Sequence, residues 1–293
     1  MAFQRYLAEE VAIDHADGVL PRREALRRLA LLGLGVPAAS ALLAACGGDG
    51  ESASGAGSGT AAPPPPGKAT QEVTFPGPEG RTVQGAWAPA DQPGGAVLVI
   101  HENRGLNDHI RSVAGRLAAS GYSALAIDLL SAEGGTAALG DEAKAMAALS
   151  SAPRERFVAD MRAGLDELER RAPGRKLGAI GFCFGGGMVW TLLASGEPRL
   201  AAAAPFYGPL PEGADFSGST AAVLGIYAEQ DARVNATREA AMAALEAAGL
   251  THEIVTYPGA NHAFFNDTGP RYDPDAATQA YAKVLDWLGQ HLG

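Results

Sequence analysis

A cysteine, an aspartate and a histidine, in that chain order, carry the chemistry this sequence suggests. Cys183 sits in "GFCFGG" (181–186), which fits glycine-x-nucleophile-x-glycine with a thiol as the nucleophile. The motif closes the apolar run "KLGAIGF" and opens the apolar stretch "GGGMVWTLLAS", so it falls on a strand-to-helix turn. A turn that tight strains its central residue, and side chains at Gly181 and Gly185 would collide with the neighbouring helix and strand. The following helix points its N-terminal dipole at the sulfur, which favours an anion there. A thiol nucleophile needs a base, and the base needs an orienter. Asp231 in "YAEQDARV" and His262 in "PGANHAFF" each follow a later apolar run. An aspartate after a strand is ordinarily a helix cap, and a lone histidine is ordinarily structural. In this order behind such an elbow, the three read as a nucleophile, its orienter and its base. His15, His109, His252 and His291 lie in a leader, in helix-like segments or at a strand start, and His101 is expected to pack inside its strand.

The elements that must hold these residues are legible as eight apolar runs: "EVTF", "VQGAWA", "AVLVIHE", "YSALAIDLL", "KLGAIGF", "LAAAAPFYG", "AAVLGIYAEQD" and "HEIVTYPG". Helix-period segments separate the later ones, and "DAATQAYAKVLDWLGQHL" closes the chain. Continuous apolar strands alternating with helices predict a mostly parallel sheet with helices on both faces. The first two runs have no helix between them and are expected as an antiparallel pair at one edge. This order resembles the α/β-hydrolase fold. A dinucleotide-binding fold is the competitor, but no GxGxxG follows the first strand. In the α/β-hydrolase fold the oxyanion hole takes one backbone N–H from the loop after the third strand and one from the residue after the nucleophile. Here these are Asn103, in "HENRGLN", and Phe184. Glu102 in the same loop is a carboxylate at a buried strand end and needs a partner. It either faces the thiol or pairs with Arg104 or Arg111.

The N-terminal part reads differently. Arg22 and Arg23 precede an apolar run that ends in "LAAC", Leu43 to Cys46. "RREALR" resembles a twin-arginine export signal and "LAAC" a bacterial lipobox, in which the cysteine is acylated and becomes the first mature residue. An amphipathic N-terminal helix is the alternative. "GGDGESASGAGSGTAAPPPPGKA" then has the composition of a tether, flexible and then stiff. The expected organisation is a signal segment over 1–46, a linker over 47–69 and the folded domain over 70–293. Lipidation of Cys46 leaves Cys183 as the one mature thiol. A lone cysteine kept outside the cytoplasm suggests that its chemistry is used. The product is expected to be exported and lipid-anchored, touching membrane only through that anchor, and monomeric. The net charge of -10 and the absence of any basic stretch after the leader exclude nucleic acid as a partner. No His/Cys cluster has metal-ligand spacing, so no metal is expected.

"GFCFGG" with "HEN", the Asp231 loop and "NHAFF" resembles the dienelactone hydrolase (carboxymethylenebutenolidase) family over most of residues 70–293. The resemblance implies a Cys183-His262-Asp231 triad, no cofactor, hydrolysis of small lactones or esters, and a role for Glu102 against the resting thiol. Family members that act on dienelactone hold the substrate carboxylate with arginines after the fourth strand and shortly after the catalytic histidine. "DLLSAEGG" has no arginine and the first one after His262 is Arg271, so Arg104 and Arg271 are the candidates for that task. An acyltransferase or thioesterase would use the same groups. A non-catalytic surface lipoprotein would have no reason to keep all three in order.

Overall fold

The computed structural model describes residues 3–45 and 66–293; Cys46 and most of the linker lie outside the described residues. Three helices come first: α1 (Phe3–Ala16), α2 (Arg22–Leu31) and α3 (Val36–Ala45). The sheet strands are β1 (Gln71–Pro76), β2 (Thr82–Ala88), β3 (Gly95–Ile100), β4 (Tyr122–Asp128), β5 (Leu177–Phe182), β6 (Leu200–Phe206), β7 (Ala222–Ala228) and β8 (His252–Tyr257). Between them run α4 (Asp108–Ala119), then α5 (Thr136–Leu139), α6 (Glu142–Ser151) and α7 (Arg154–Arg171), then α8 (Phe184–Ala194), α9 (Ala232–Asn235) and α10 (Arg238–Ala247). α11 (Pro274–Leu292) closes the domain.

The eight strands form one sheet in the order β1-β2-β4-β3-β5-β6-β7-β8. β1 pairs antiparallel with β2, and β2 antiparallel with β4; every other pairing is parallel. β3 and β5 are buried at every residue, as their unbroken apolar sequences require of strands covered on both faces. α7 and α8 cover one face. α4 and α11 cover the other, tied by a Ser120–Tyr281 hydroxyl contact of 2.9 Å. Three of the helices start where the sequence offers a cap: Asn107 accepts from the Ile110 N–H, Asp141 from Ala143 and Lys144, and Asp273 from Asp275 and Ala276.

Two stretches add to the sequence reading. Residues 136–151, left unassigned between the fourth and fifth runs, form α5 and α6. Residues 3–45, read as an export leader, fold as α1, α2 and α3 in this full-length chain. They pack on one another and on α6. Tyr6, Leu7, Val11, Ala12, Ala25 and Leu29 are almost wholly buried. Ion pairs fasten the cluster to the domain, from Arg27 to Asp141 (2.5 Å) and from Arg28 to Glu142 (3.2 Å). Arg22 and Arg23 stay exposed. Among the described residues, no helix is long and apolar enough to cross a membrane.

Candidate active site

Cys183 lies between β5 and α8 with φ 55° and ψ -115°, a conformation that L residues seldom adopt. The surroundings enforce it. A Cβ at Gly181 would lie 2.1 Å from the Gly185 carbonyl oxygen, and one at Gly185 would lie 2.3 Å from that of Ile100. With glycine at both places, β5, α8 and the end of β3 close on one another, and the thiol is pressed to the carboxyl edge of the sheet. It is buried there.

His262 follows β8, and its Nδ1 lies 2.5 Å from Asp231 Oδ2. Asp231 is also the cap of α9, its Oδ1 accepting from the Val234 N–H at 3.2 Å. The cap and the orienter are therefore the same residue, one carboxylate oxygen for each task. Tyr207 packs edge-on against the imidazole with ring centroids 5.1 Å apart. With Nδ1 on the carboxylate, Nε2 is the nitrogen left to face the sulfur, and it has no hydrogen-bond partner. Cys183, His262 and Asp231 are thus brought together from three loops.

Asn103 lines the same cleft, and Phe184 is the first residue of α8. The loop carrying Asn103 is fixed by His101, which is buried just past β3. His101 Nε2 accepts from the Leu129 N–H at 3.1 Å, so Nδ1 carries the proton and donates to the Glu102 carbonyl at 2.6 Å. Its ring stacks on Phe184. Glu102 does not pair with either arginine considered for it. Arg104 meets Glu142 at 3.5 Å and Arg111 meets Glu72 at 3.4 Å, while Glu102 Oε2 accepts from Asn266 Nδ2 at 2.7 Å. Its other oxygen, Oε1, is buried with no partner. Arg104 and Arg271 both line the cleft, and Arg271 is bound to Asp14 (2.8 Å) and Asp17 (2.7 Å) of the N-terminal segment.

Three groups absent from the sequence reading complete the site. Tyr6 of α1 places its hydroxyl 3.4 Å from Cys183 Sγ. Glu10 of α1 puts Oε1 3.5 Å from His262 Nε2 and Oε2 on the Arg233 guanidinium. Arg233, two residues past Asp231, also donates to the Tyr6 carbonyl at 2.8 Å and lies over the Tyr6 ring. A signal for α1 was present: Tyr6, Glu10 and Asp14 repeat every four residues, which places them on one helix face. Glu10, Cys183 and His262 offer ligand atoms within 4.8 Å of one another, the one such group among the described residues. Arg233 already balances Glu10, which argues against a cation there.

The electrostatics follow from burial and these carboxylates. Burial raises the Cys183 thiol, Glu10 and then Glu102 raise it further, and His262 works against them; the net direction is up. For His262, burial works against the charged form, but Glu10, Asp231 and Cys183 outweigh it, so the imidazole is held well above its ordinary value. Glu10 itself is lowered to about 2, because Arg233, His262 and Arg271 overcome the cost of burial.

Comparison with known proteins places this chain in a family. Residues 84–292 match the model of the dienelactone hydrolase family. A candidate carboxymethylenebutenolidase of Salmonella typhi is 32% identical over 210 residues, covering 67% of this chain and 77% of its own. One from Yersinia pestis is 31% identical over 239 residues, covering 75% of this chain and 88% of its own. The crystal structure of a candidate dienelactone hydrolase from Klebsiella pneumoniae subsp. pneumoniae superposes with a TM-score of 0.67 at 30% identity. It covers 76% of this chain and 98% of the Klebsiella one.

Proposed function

The chain belongs to the dienelactone hydrolase family and is a hydrolase acting on ester bonds; from that premise we propose that it cleaves small lactones or carboxylic esters through a thioester on Cys183. His262 Nε2 takes the thiol proton as sulfur attacks the carbonyl carbon, and Asp231 holds Nδ1–H so that Nε2 points the right way. The backbone N–H groups of Asn103 and Phe184 receive the developing oxyanion. As the C–O bond breaks, His262 returns the proton to the departing alkoxide. For a lactone that alkoxide stays attached to the acyl group. Water then adds to the thioester with His262 as base, releasing the acid and restoring the thiol. The observation that carries this reading is the 2.5 Å Asp231–His262 contact beside a thiol held at a strained strand-to-helix turn. Replacing Cys183 or His262 with Ala should lower kcat/KM on a p-nitrophenyl ester by about three to five orders of magnitude. Asp231→Asn should cost somewhat less, since the base survives without its orienter. A Cys183→Ala protein that keeps most of its activity contradicts the reading.

The same proposal includes export, with cleavage before Cys46, acylation of its thiol and anchoring of a monomeric domain outside the cytoplasm. The lipobox and the tether composition support it.

A further inference from the structure

With α1 in place, the cleft in front of Cys183 has a volume of only about 40 Å³. That is room for a water or two, whereas pockets for small organic ligands run to roughly 300–1,000 Å³. A second cavity of about 20 Å³ lies behind Tyr6, against Met188, Thr191 and Leu210. Both are small because α1 walls them, with Glu10 and Asp14 on one side and Tyr6 on the other. The Tyr6 hydroxyl, 3.4 Å from the sulfur, fills one approach to it, and the cleft on the other side is too small for an ester.

We propose that α1 is a tethered inhibitor: its Tyr6 and Glu10 occupy the catalytic cleft, and hydrolysis requires α1 to leave. The inference rests on Cys183 and His262 being the reacting groups. Its contacts are those of a ligand rather than of chance packing. One helix face inserts an aromatic ring beside the nucleophile and a carboxylate between the base and a buried arginine, while Asp14 and Asp17 clasp Arg271 at the rim. At the cleft, Glu10, Asp14 and Asp17 of the N-terminal segment pair with Arg233 and Arg271 of the domain. Glu10 also disables the groups that it touches. A carboxylate at Nε2 favours imidazolium, which cannot accept the thiol proton, and it disfavours a thiolate at the same time. Residues 1–45 are also the segment that the proposed export cleavage removes. Hydrolysis of the Ala45–Cys46 peptide bond consumes one water, leaves a carboxylate on Ala45 and an amine on Cys46, and lets α1 dissociate. Arg22 and Arg23 remain exposed while α1 is docked, so an export machinery could read the silenced form.

The test compares the full-length chain with its Tyr6→Ala/Glu10→Ala variant. Alkylation of Cys183 by iodoacetamide is followed by peptide mass, which separates it from Cys46, and p-nitrophenyl acetate turnover is measured alongside. Both rates should rise by about tenfold or more in the variant, because each scales with the fraction of open sites. A synthetic peptide of residues 1–20 should slow both again. Asp14→Asn/Asp17→Asn, which loosens only the rim, should fall in between, and it carries the test if the first variant does not fold. Equal alkylation rates in wild type and the folded variant, within twofold, overturn the inference. Faster alkylation with no esterase activity in any form keeps the inhibitor and removes the proposed hydrolysis. Esterase activity that is equal throughout, with equal alkylation, does the reverse.

Discussion

At Cys183 the sulfur is subject to opposing influences. The amino end of α8 and His262 favour thiolate, while burial, Glu10 and Glu102 favour thiol. The second set wins in the full chain and holds the sulfur as thiol, which protects it, since thiolate is the form that oxidises. Glu102 is held by Asn266 from a distant part of the sequence, and its Oε1 is buried without a hydrogen-bond partner. Glu102→Gln keeps the shape and the Asn266 contact but removes the charge. Removing a group that raises the thiol lowers its value, so more thiolate is present at neutral pH. Alkylation of Cys183 should accelerate, by less than it does when Glu10 is removed, because Glu102 contributes less than burial or Glu10. Turnover should fall, since Glu102 lines the cleft in front of the thiol. Unchanged alkylation and unchanged kcat in the Gln variant would return Glu102 to a structural role.

At the scale of elements, the site depends on how closely β5, α8 and the end of β3 approach. A methyl group at Gly185 meets the Ile100 and His101 carbonyl oxygens at 2.3 and 2.6 Å, and backbone cannot yield as a flexible side chain would. Gly185→Ala should therefore cost about 1–3 kcal/mol, seen as a drop in Tm of roughly 2–12 °C for a chain of this size. Activity should fall further than stability, because His101 holds the Asn103 loop. An unchanged Tm shows that the turn relaxes. These strands were legible because each is a continuous apolar run, and the elbow was legible because its glycines are forced. α5 and α6 were not, since "TAALG" and "DEAKAMAALS" are short and alanine-rich and carry little periodicity. Arg233 was overlooked for a different reason: an arginine in "DARV" acquires meaning only from Glu10, hundreds of residues away in sequence. Likewise, neither Arg104 nor Arg111 could be excluded as a partner of Glu102 until Asn266 was seen to hold it.

For the whole molecule, charge is shared between the N-terminal segment and the domain. The segment before Cys46 carries as many acidic as basic residues, so the sequence reads as neutral there. Folded, Glu10, Asp14 and Asp17 face cations of the cleft, while Arg27 and Arg28 face Asp141 and Glu142. Under the export proposal, residues 1–45 would both dock on the domain and serve as a leader, and cleavage would discard them once the domain has formed. Cys46→Ser should abolish acylation and leave the protein in the soluble fraction of the native host. Intact mass showing an uncleaved, unmodified N-terminus on wild-type protein from that host contradicts the export reading and leaves the hydrolase site untouched.

The thioester is the claim on which the catalytic account depends. Mixing the Tyr6→Ala/Glu10→Ala chain with p-nitrophenyl acetate and quenching in acid should give a rapid burst of p-nitrophenolate, close to one per site. Intact protein should gain the mass of one acetyl group, mapped to the peptide containing Cys183 and labile to hydroxylamine. Turnover without any acyl adduct on Cys183, or with the adduct on another residue, contradicts it.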